Sequence, residues 1–485
     1  MSNNTTSGSA IRLRVDLEDA EVPVWRVIEV DADITLADLH LVIQLAMGWL
    51  DYHLHAFSEG DPHQHGPASG RRWETKDLSS DPDEDASDEA ETLVNEVLSE
   101  HRRRLFYEYD FGDSWIHRIE WIGQAPREPA EDPAQEPAQE PGETALARVL
   151  DGGGRCPLED SGGVDGWADL ARCIAGPDSP ERDDMMAWAS TAIGSDGQLD
   201  VTSFDIAAAN RAMHTLSVLV GRFQSITASR VKATVLDELL MRLPMFAAIH
   251  CAQRANLPAD FLANPAAPAW RRVTPELAAA TLRPLSWLLE QIGPRGLMLT
   301  QAGWLPPKLV AESINVLGID SRFMIGRPTE SKIVALARLR ALAEKLGLIR
   351  KSRGRLSITK DAAAAIADPV AFEELLAQRL GTRKFGPAEH DAVVIVAMFA
   401  AFLGERPVHE FWNDVATVLT ALGWNAGMFG VSAGDASRVA MPARTVFEYT
   451  RALKVDDAAF VAQPGLHELA RSVLAAPVPA TRPNW

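Results

Sequence analysis

Apolar residues recur with two different periods along this 485-residue chain, and the change of period divides the chain in two. In the first part they alternate with polar residues, as at residues 11–17 and 24–30. Alternation places every second side chain on one face, which is typical of strands with one buried face. From about Ala207 the sequence is rich in Ala and Leu at helical spacing. The chain therefore predicts an α+β N-terminal domain followed by a mainly α-helical region.

The alternating segments predict a small antiparallel sheet. Residues 11–17 and 24–30 read as a hairpin, and Thr35 then caps a helix whose apolar positions keep a 3.6-residue period until Gly48. Further strands are predicted at 53–57, 105–111 and 114–122, and a Gly-Asp turn joins the last two. These elements belong to a domain predicted to span residues 11–214, after a disordered leader at residues 1–10.

Two strongly acidic segments interrupt this domain. Residues 74–100 contain 11 acidic residues and one lysine, and residues 124–143 contain six acidic residues and one arginine. Together they carry −15 of the formal charge of −20. Such segments bury too little apolar surface to offset the entropy of ordering, so we expect flexible, solvated insertions there.

Composition excludes several classes of protein. The excess of 67 acidic over 47 basic residues argues against a protein that coats nucleic acid or anionic membrane with its whole surface. The longest apolar run, residues 392–403, is shorter than the roughly 20 residues that cross a bilayer. Three cysteines are too few for a disulfide framework, and the first ten residues lack the pattern of a secretory signal. We therefore expect a cytoplasmic protein without a membrane partner.

The helical part is predicted to comprise a region at 215–385 and a C-terminal region at 386–485. Residues 297–303 and 356–362 share the form Leu-x-[Leu/Ile]-Thr-[Gln/Lys]-x-[Gly/Ala], and a weaker version lies at 460–465. A short strand that follows helices and leads into another helix is typical of the wing of a winged helix. This pattern predicts two or three winged-helix-like units, and helical repeats of another kind are the alternative.

Four motifs in the first 214 residues occur in a recognisable order. They are His-Leu-His-Ala-Phe at 53–57, Tyr-Glu-Tyr-Asp-Phe-Gly-Asp-Ser-Trp-Ile-His at 107–117, Cys-Pro-Leu-Glu-Asp-Ser-Gly-Gly at 156–163 with Gly-Trp at 166–167, and Phe-Asp-Ile-Ala-Ala-Ala-Asn-Arg at 204–211. In these motifs the chain resembles the plasmid pRiA ORF-three-like family, also described as an insertion-sequence passenger family. Residues 299–307 resemble the C-terminal extension of longer members. The resemblance implies an α+β N-terminal domain and a link to mobile elements, and it implies no established activity.

The predicted hairpin at 105–122 and the glycine-rich segment at 151–163 together offer candidate catalytic residues. We expect the glycines to let the segment fold against the hairpin, so that Asp113 or His117 lies near Glu159 or Asp160. Carboxylates beside a histidine suit general acid–base chemistry, and Cys156 would be a nucleophile if His117 lowered its pKa. Asx hydrogen bonding at the turn and packing of the cysteine are the structural alternatives. The candidate catalytic residues are Asp110, Asp113, His117, Cys156, Glu159 and Asp160.

The sequence predicts no cofactor, and a divalent metal is the one for which it offers candidate ligands. His53 and His55 are two residues apart on a predicted strand, so both imidazoles would face the same side. His117 on a neighbouring strand would supply a third nitrogen, and Asp110 or Asp113 would complete the site.

A basic run stands out in the acidic chain. Residues 322–360 contain 11 basic residues against two glutamates, and they include a predicted helix at 331–346 and a predicted wing at 350–355. Cations on a helix and a wing suit contact with DNA phosphates. A solvated surface, or one that is covered by the protein's own acidic insertions, is the alternative. The candidate nucleic-acid-binding residues are Arg338, Arg350, Lys351, Arg353 and Arg355.

No complete catalytic motif appears among these residues. The sequence therefore favours a non-enzymatic binding module associated with mobile elements, which contacts DNA or a protein partner through its basic winged-helix-like region. The alternative is a hydrolase-like or metal-dependent enzyme with its site in the N-terminal domain.

Overall fold

The computed structural model describes twelve stretches of the chain, which divides into two compact units, Met1–Ser217 and Val218–Trp485. The described residues are 9–62, 70–76, 86–126, 146–193, 200–319, 328–381, 385–402, 404–426, 430–449, 453–455, 459–462 and 465–478.

The N-terminal unit combines strands and helices, as its hydrophobic pattern predicts. Its described elements are β1 (Ser9–Leu17), β2 (Trp25–Asp31), α1 (Leu36–Met47), β3 (His55–Ser58), β4 (Arg72–Glu74), β5 (Ser87–Asp88), a 3₁₀ helix (Glu89–Glu91), α2 (Val94–Val97), β6 (Arg104–Tyr109), β7 (Trp115–Pro126), β8 (Ala147–Gly153), α3 (Gly163–Ala175), α4 (Pro180–Ile193) and α5 (Ile206–Thr227), and the division between the units falls inside α5.

The described strands form one sheet in the order β5-β4-β3-β6-β7-β1-β2-β8. Neighbouring strands are antiparallel except β4 and β5, which are parallel. The predicted hairpin is confirmed, since β1 and β2 pair from Ala10 opposite Asp31 to Asp16 opposite Trp25. Its inward residues, among them Leu13, Val15 and Ile28, are fully buried. The alternating pattern thus forms the centre of an α+β domain.

Helix α1 packs on the sheet through polar as well as apolar side chains. Thr35 caps it in a capping box with Asp38, and Gly48 ends it in the left-handed conformation, as predicted. Gln44 and His40 both reach the buried hydroxyl of Tyr107 on β6, at 2.9 and 2.8 Å. These contacts fix the helix over the strands that lead to the candidate site.

The first acidic segment was predicted to be a solvated insertion over its whole length, and this is wrong for residues 86–100. They form β5, the 3₁₀ helix and α2, and Glu89, Val94, Val97 and Leu98 are buried. Glu89 accepts hydrogen bonds from His55 and Thr75, so a carboxylate counted as solvated charge belongs to the interior. Residues 77–85 and 127–145, with most of the remaining acidic positions, lie outside the described residues.

The edge strand β8 is covered by side chains of α5. Asn210 accepts from the Val149 N–H at 2.8 Å and donates to the Val149 carbonyl at 3.0 Å, as a neighbouring strand would. Ser217 accepts from the Leu146 N–H at 2.9 Å. Free edges invite pairing with other chains, so these contacts protect the sheet against association.

We expect Asn210→Ala to destabilise the N-terminal unit by about 1–3 kcal/mol, because both polar groups of Val149 lose their partner. Asn210→Asp keeps the oxygen that accepts from the Val149 N–H, so its stability should lie between those of the wild type and the alanine variant. Thermal unfolding and light scattering of the full chain would measure stability and association. An alanine variant that is as stable and as monodisperse as the wild type would show that the edge needs no cover.

The C-terminal unit is mainly helical, as predicted. Its described elements are α6 (Val235–Leu240), α7 (Met245–Arg254), α8 (Ala259–Ala263), a 3₁₀ helix (Pro268–Arg271), α9 (Pro275–Thr281), α10 (Arg283–Ile292), β9 (Leu297–Met298), α11 (Pro307–Leu317), α12 (Val334–Lys345), β10 (Ile349–Ser352), β11 (Arg355–Ile358), α13 (Lys360–Ala365), α14 (Pro369–Gly381), α15 (Pro387–Phe402), β12 (Arg406–Pro407), α16 (Val408–Ala421), α17 (Ala433–Val439), α18 (Met441–Tyr449), β13 (Leu453–Val455), β14 (Ala459–Ala462) and α19 (Leu466–Leu474).

Two small antiparallel sheets lie within this unit. The first has the order β10-β11-β9 and the second the order β12-β14-β13. The segments at 297 and 356 were predicted to be wings of separate units, and this is wrong, because Leu297 and Leu356 are partners in one sheet. Phe460 lies in the second sheet, opposite Arg406 and Val455. Each sheet follows the same chain order: a helix, a short strand, two or three helices, and a hairpin whose second strand pairs with the short strand.

None of the described helices is long and apolar enough to cross a membrane. Residues 392–402 of the apolar run belong to α15, where the residues from His390 to Ala401 are all buried. A helix that is apolar all round is then explained by its position in the core of the unit.

Candidate functional site

The loop between α1 and β3 is fixed to two other segments of the N-terminal unit. The Leu50 N–H donates to Glu159 Oε1 at 2.7 Å, and the Tyr52 N–H donates to the Tyr109 hydroxyl at 2.9 Å. The Trp49 indole donates to the Pro157 carbonyl at 2.9 Å. Three of the four sequence motifs therefore meet around this loop.

The turn between β6 and β7 brings its aspartates to the same place. The Asp110 N–H donates to the Leu54 carbonyl at 2.9 Å, and Asp110 Oδ1 accepts from the Gly112 N–H at 2.9 Å. Asp113 Oδ2 accepts from the Gly162 N–H at 3.0 Å. A Cβ on Gly163 would lie 2.8 Å from the Asp113 carbonyl oxygen, so only glycine allows this approach. The predicted meeting of the hairpin with the glycine-rich segment is confirmed by these contacts.

A histidine and two aspartates converge where the three segments meet. His53 Nε2 lies 3.5 Å from Asp110 Oδ2 and 3.3 Å from Asp160 Oδ1. The side chain of Asp110 is mostly buried, and that of Asp160 is 73% exposed. We call these three residues the His53 cluster. It unites two of the predicted catalytic residues with one of the predicted metal ligands.

Glu159 adjoins the His53 cluster, and only one of its two carboxylate oxygens accepts hydrogen bonds from described residues. Its Oε1 accepts from the Leu50 N–H and from the Tyr109 hydroxyl, at 2.7 and 3.1 Å. Burial raises the pKa of Glu159, and the charge of Asp160 adds to the rise, while both hydrogen bonds oppose it. Burial and the nearby Glu159 likewise raise the pKa of Tyr109.

Large apolar side chains that are next to cluster residues in the chain are exposed. Tyr52 is 69% and Leu54 64% exposed, and both flank His53 in the chain. Phe111, next to Asp110, is 44% exposed. Exposed large apolar side chains are typical of surfaces that bind a ligand or partner.

His55 is separated from His53, although both were predicted to face the same side. Strand β3 begins only at His55, so the alternation that would align the two imidazoles does not extend to His53. His55 Nε2 is bonded to Glu89 Oε2 at 2.9 Å, and its ring stacks on that of His40 at 3.5 Å. His55 therefore belongs to a second polar group that lies deeper in the unit.

His117 and Cys156 are both buried in the interior, and neither belongs to the cluster. Burial lowers the pKa of His117 to about 4, and its Nδ1 lies 3.1 Å from the Trp115 carbonyl oxygen. Burial raises the pKa of the Cys156 thiol. A nucleophilic cysteine needs the thiolate form, so this environment opposes the predicted nucleophile.

Three residues near the candidate site were not predicted from the sequence. His40 occupies a core-facing position of α1, where the helical period predicts an apolar residue. It is bonded to Asp51, with His40 Nε2 and Asp51 Oδ1 3.1 Å apart. Tyr109 links Glu159 to the Tyr52 N–H. The sequence signal that could have indicated this group is His40 itself, a histidine on the apolar face of a helix.

The basic run lies in the C-terminal unit, and the structure distinguishes its members. Arg350, Lys351 and Arg353 are exposed, and within the described part of the chain their side chains form no ion pair. Arg355 donates to the carbonyls of Arg295 and Gly296 at 2.7 and 3.3 Å. Arg338 on α12 is half-buried. The first three residues, here called the wing cations, are thus the ones available to an anionic partner.

Comparisons with known proteins agree with the four motifs. Residues 9–211 match the family described as Plasmid pRiA4b ORF-3-like protein, so the resemblance is confirmed for the N-terminal domain. The uncharacterized protein y4hQ of Sinorhizobium fredii (strain NBRC 101917 / NGR234) is 28% identical over 210 residues, which are 42% of this chain and 87% of that protein. A crystal structure of a protein of unknown function from Methanosarcina mazei Go1 matches 42% of this chain and 98% of its own, with 22% identity and a TM-score of 0.33.

Proposed function

We propose that a chain with a pRiA4b ORF-3-like N-terminal domain contacts the DNA backbone through the C-terminal unit, by a winged helix whose wing carries the wing cations. The observation that carries this proposal is the exposure of Arg350, Lys351 and Arg353 at a hairpin tip, where they form no ion pair with other described residues. The association with mobile elements rests on the family resemblance alone and remains part of the proposal.

The order of elements from α10 to β11 supports a winged helix. A helix, a short strand, two helices and a hairpin follow one another, and the short strand β9 pairs with the last strand β11. This is the arrangement of a helix-turn-helix with a wing. The hairpin turns through Arg353 and Gly354, both with positive φ, as the tight two-residue turn of a protruding wing requires.

The wing is favoured over the helix as the contact surface. In a winged helix the third helix, here α12, enters the major groove. Here α12 packs against α18, and its exposed positions are Val334, Ala341 and Lys345, whose ammonium is paired with Glu389 at 2.6 Å. Such side chains read no base edge by hydrogen bonds, whereas cations at a wing neutralise phosphates without regard to sequence. We therefore propose binding with little sequence preference.

Binding by the full chain should be tested at several salt concentrations, with the triple variant R350A/K351A/R353A. Each lost phosphate contact reduces the salt slope by about 0.9, so the variant should lose up to about 2.7 units of slope and bind all duplexes more weakly. R230A/K232A/R272A removes the same charge from exposed positions elsewhere in the unit and is the matched control.

Two results would contradict the proposal. One is the absence of binding by the wild-type chain even at low salt. The other is equal weakening by both triple variants, since that would reflect net charge and not the wing. The predicted masking by the chain's own acidic insertions remains a proposal, because most of those residues lie outside the described part.

A further inference from the structure

We propose that His53, Asp110 and Asp160 bind a divalent transition-metal ion of the zinc class on the N-terminal unit. The inference is independent of DNA binding, which was assigned to the other unit. It concerns the His53 cluster, whose three potential ligand atoms lie within 4.8 Å of one another.

The spacing of these atoms suits ligands that surround a common centre. Zinc bonds to nitrogen and oxygen of about 2.0–2.1 Å give about 3.3–3.4 Å between tetrahedral ligand atoms. The two distances from His53 Nε2 are 3.3 and 3.5 Å. Charge-assisted hydrogen bonds are shorter, about 2.7–2.9 Å. The cluster therefore has the spacing of a coordination shell more than that of a hydrogen-bonded group.

A second observation is the unsatisfied state of the nitrogen at its centre. His53 Nε2 is buried and has no hydrogen-bond partner among the described residues. Glu159 Oε2, one residue from Asp160, is likewise buried without a hydrogen bond in this part of the chain. Buried polar atoms without partners are uncommon and need an explanation, and a bound cation would satisfy the imidazole nitrogen of His53.

The surroundings hold the ligands in place and leave one side open. Asp110 Oδ1 is occupied by the Gly112 N–H, so Oδ2 is the oxygen that faces His53. Hydrogen bonds of this kind orient metal-ligating carboxylates. Asp160 is largely exposed, so the site opens to solvent. Three protein ligands with an open position are typical of zinc sites that bind a further ligand.

The other group of potential ligands, His40, Asp51 and His55, does not share these properties. His40 is already bonded to Asp51 and Tyr107, and His55 to Glu89. The two rings stack at 3.5 Å with nearly parallel planes. This group satisfies itself by hydrogen bonds, so the proposal is confined to the His53 cluster.

The test uses the full chain after removal of metal by a chelator and dialysis. Titration with Zn²⁺ by calorimetry should give one site that is weakened at least about tenfold by H53Q, D110N and D160N. Titration with Co²⁺ should give visible absorption bands of a low-coordinate site, and these bands should be lost in the same variants. H101Q and D165N change exposed residues of the same unit and should bind as the wild type does.

Because Asp160 is largely exposed, D160N tests the proposal even if H53Q or D110N fails to fold. Saturable binding by the wild type that D160N leaves unchanged would overturn the proposal, as would the absence of binding. A site lost in H63Q/H65Q and kept in H53Q would also overturn it, because the metal would then be bound by other imidazoles.

Discussion

Replacing Asp237 by alanine is expected to destabilise the C-terminal unit by about 3–5 kcal/mol. Arg222 on α5 forms a two-pronged ion pair with Asp237 on α6, at 3.0 and 2.8 Å, and both side chains are buried. The same carboxylate accepts from the N–H and hydroxyl of Thr234 in the capping box of α6. The alanine variant would leave a buried guanidinium without its counter-charge and would remove the carboxylate half of the capping box of α6.

Hydrogen exchange of peptides from the C-terminal unit, in increasing urea, would measure this loss separately from the N-terminal unit. D260A removes an exposed carboxylate from the first turn of α8 and should change stability by less than about 0.5 kcal/mol. The double variant R222M/D237L should recover part of the loss, because it removes both charges from the interior. A D237A protein as stable as D260A would refute the stabilising role of the Arg222–Asp237 ion pair.

The second large effect concerns Glu373 on α14. Its side chain is 2% exposed, and burial raises its pKa from the ordinary 4.5 to about 7, with the charges of Glu374 and Glu468 adding to the rise. Between about pH 4.5 and 7 the unfolded chain releases a proton that the folded chain retains. Stability therefore falls as pH rises through this window, by about 3 kcal/mol in total.

We expect E373Q to remove this pH dependence and to raise the stability of the C-terminal unit above pH 7 by up to about 3 kcal/mol, since glutamine carries no charge into the interior. E405Q changes an exposed glutamate elsewhere in the unit and should keep the wild-type profile. Urea unfolding at pH 5 and pH 8, followed by hydrogen exchange of the same peptides, gives the comparison. A wild-type unit that is as stable at pH 8 as at pH 5 would contradict the expectation.

The elements with strong local signals could be predicted from the sequence. Strands β1 and β2 carry an uninterrupted alternation, and α1 has both its cap at Thr35 and its terminating Gly48. Such signals depend on a few neighbouring residues. Glu89 could not be predicted in this way. Its charge predicted an exposed side chain, but its partner His55 lies 34 residues away and cannot be inferred from local composition.

The candidate site was predicted only in part, for the same reason. Asp110 and Asp160 were candidates because of their unusual segments, and the meeting of those segments was expected. Their partner was expected to be His117, but His117 points into the core as the strand alternation of β7 requires. The histidine beside Asp110 and Asp160 is instead His53, which precedes β3 because that strand starts two residues later. Strand ends are the least certain part of such a prediction.

The paired strands of the C-terminal unit show the difficulty of non-local pairing. Leu297 and Leu356 lie in similar motifs, and similarity suggested repetition. They are instead neighbours in a single sheet across about 60 residues. What repeats is the order of helices and strands that forms each of the two small sheets. The motifs at residues 297 and 356 alone do not reveal this repeat.

The contact between Asn210 and the edge of β8 determines where the chain can be cut for expression. The family match ends at residue 211, so a fragment designed on that match would end within α5, one residue after Asn210. The last turn of a helix frays, and Ser217 would be missing altogether. A recombinant N-terminal domain should therefore extend through residue 227, the end of α5, to remain soluble at the concentrations that structural work requires.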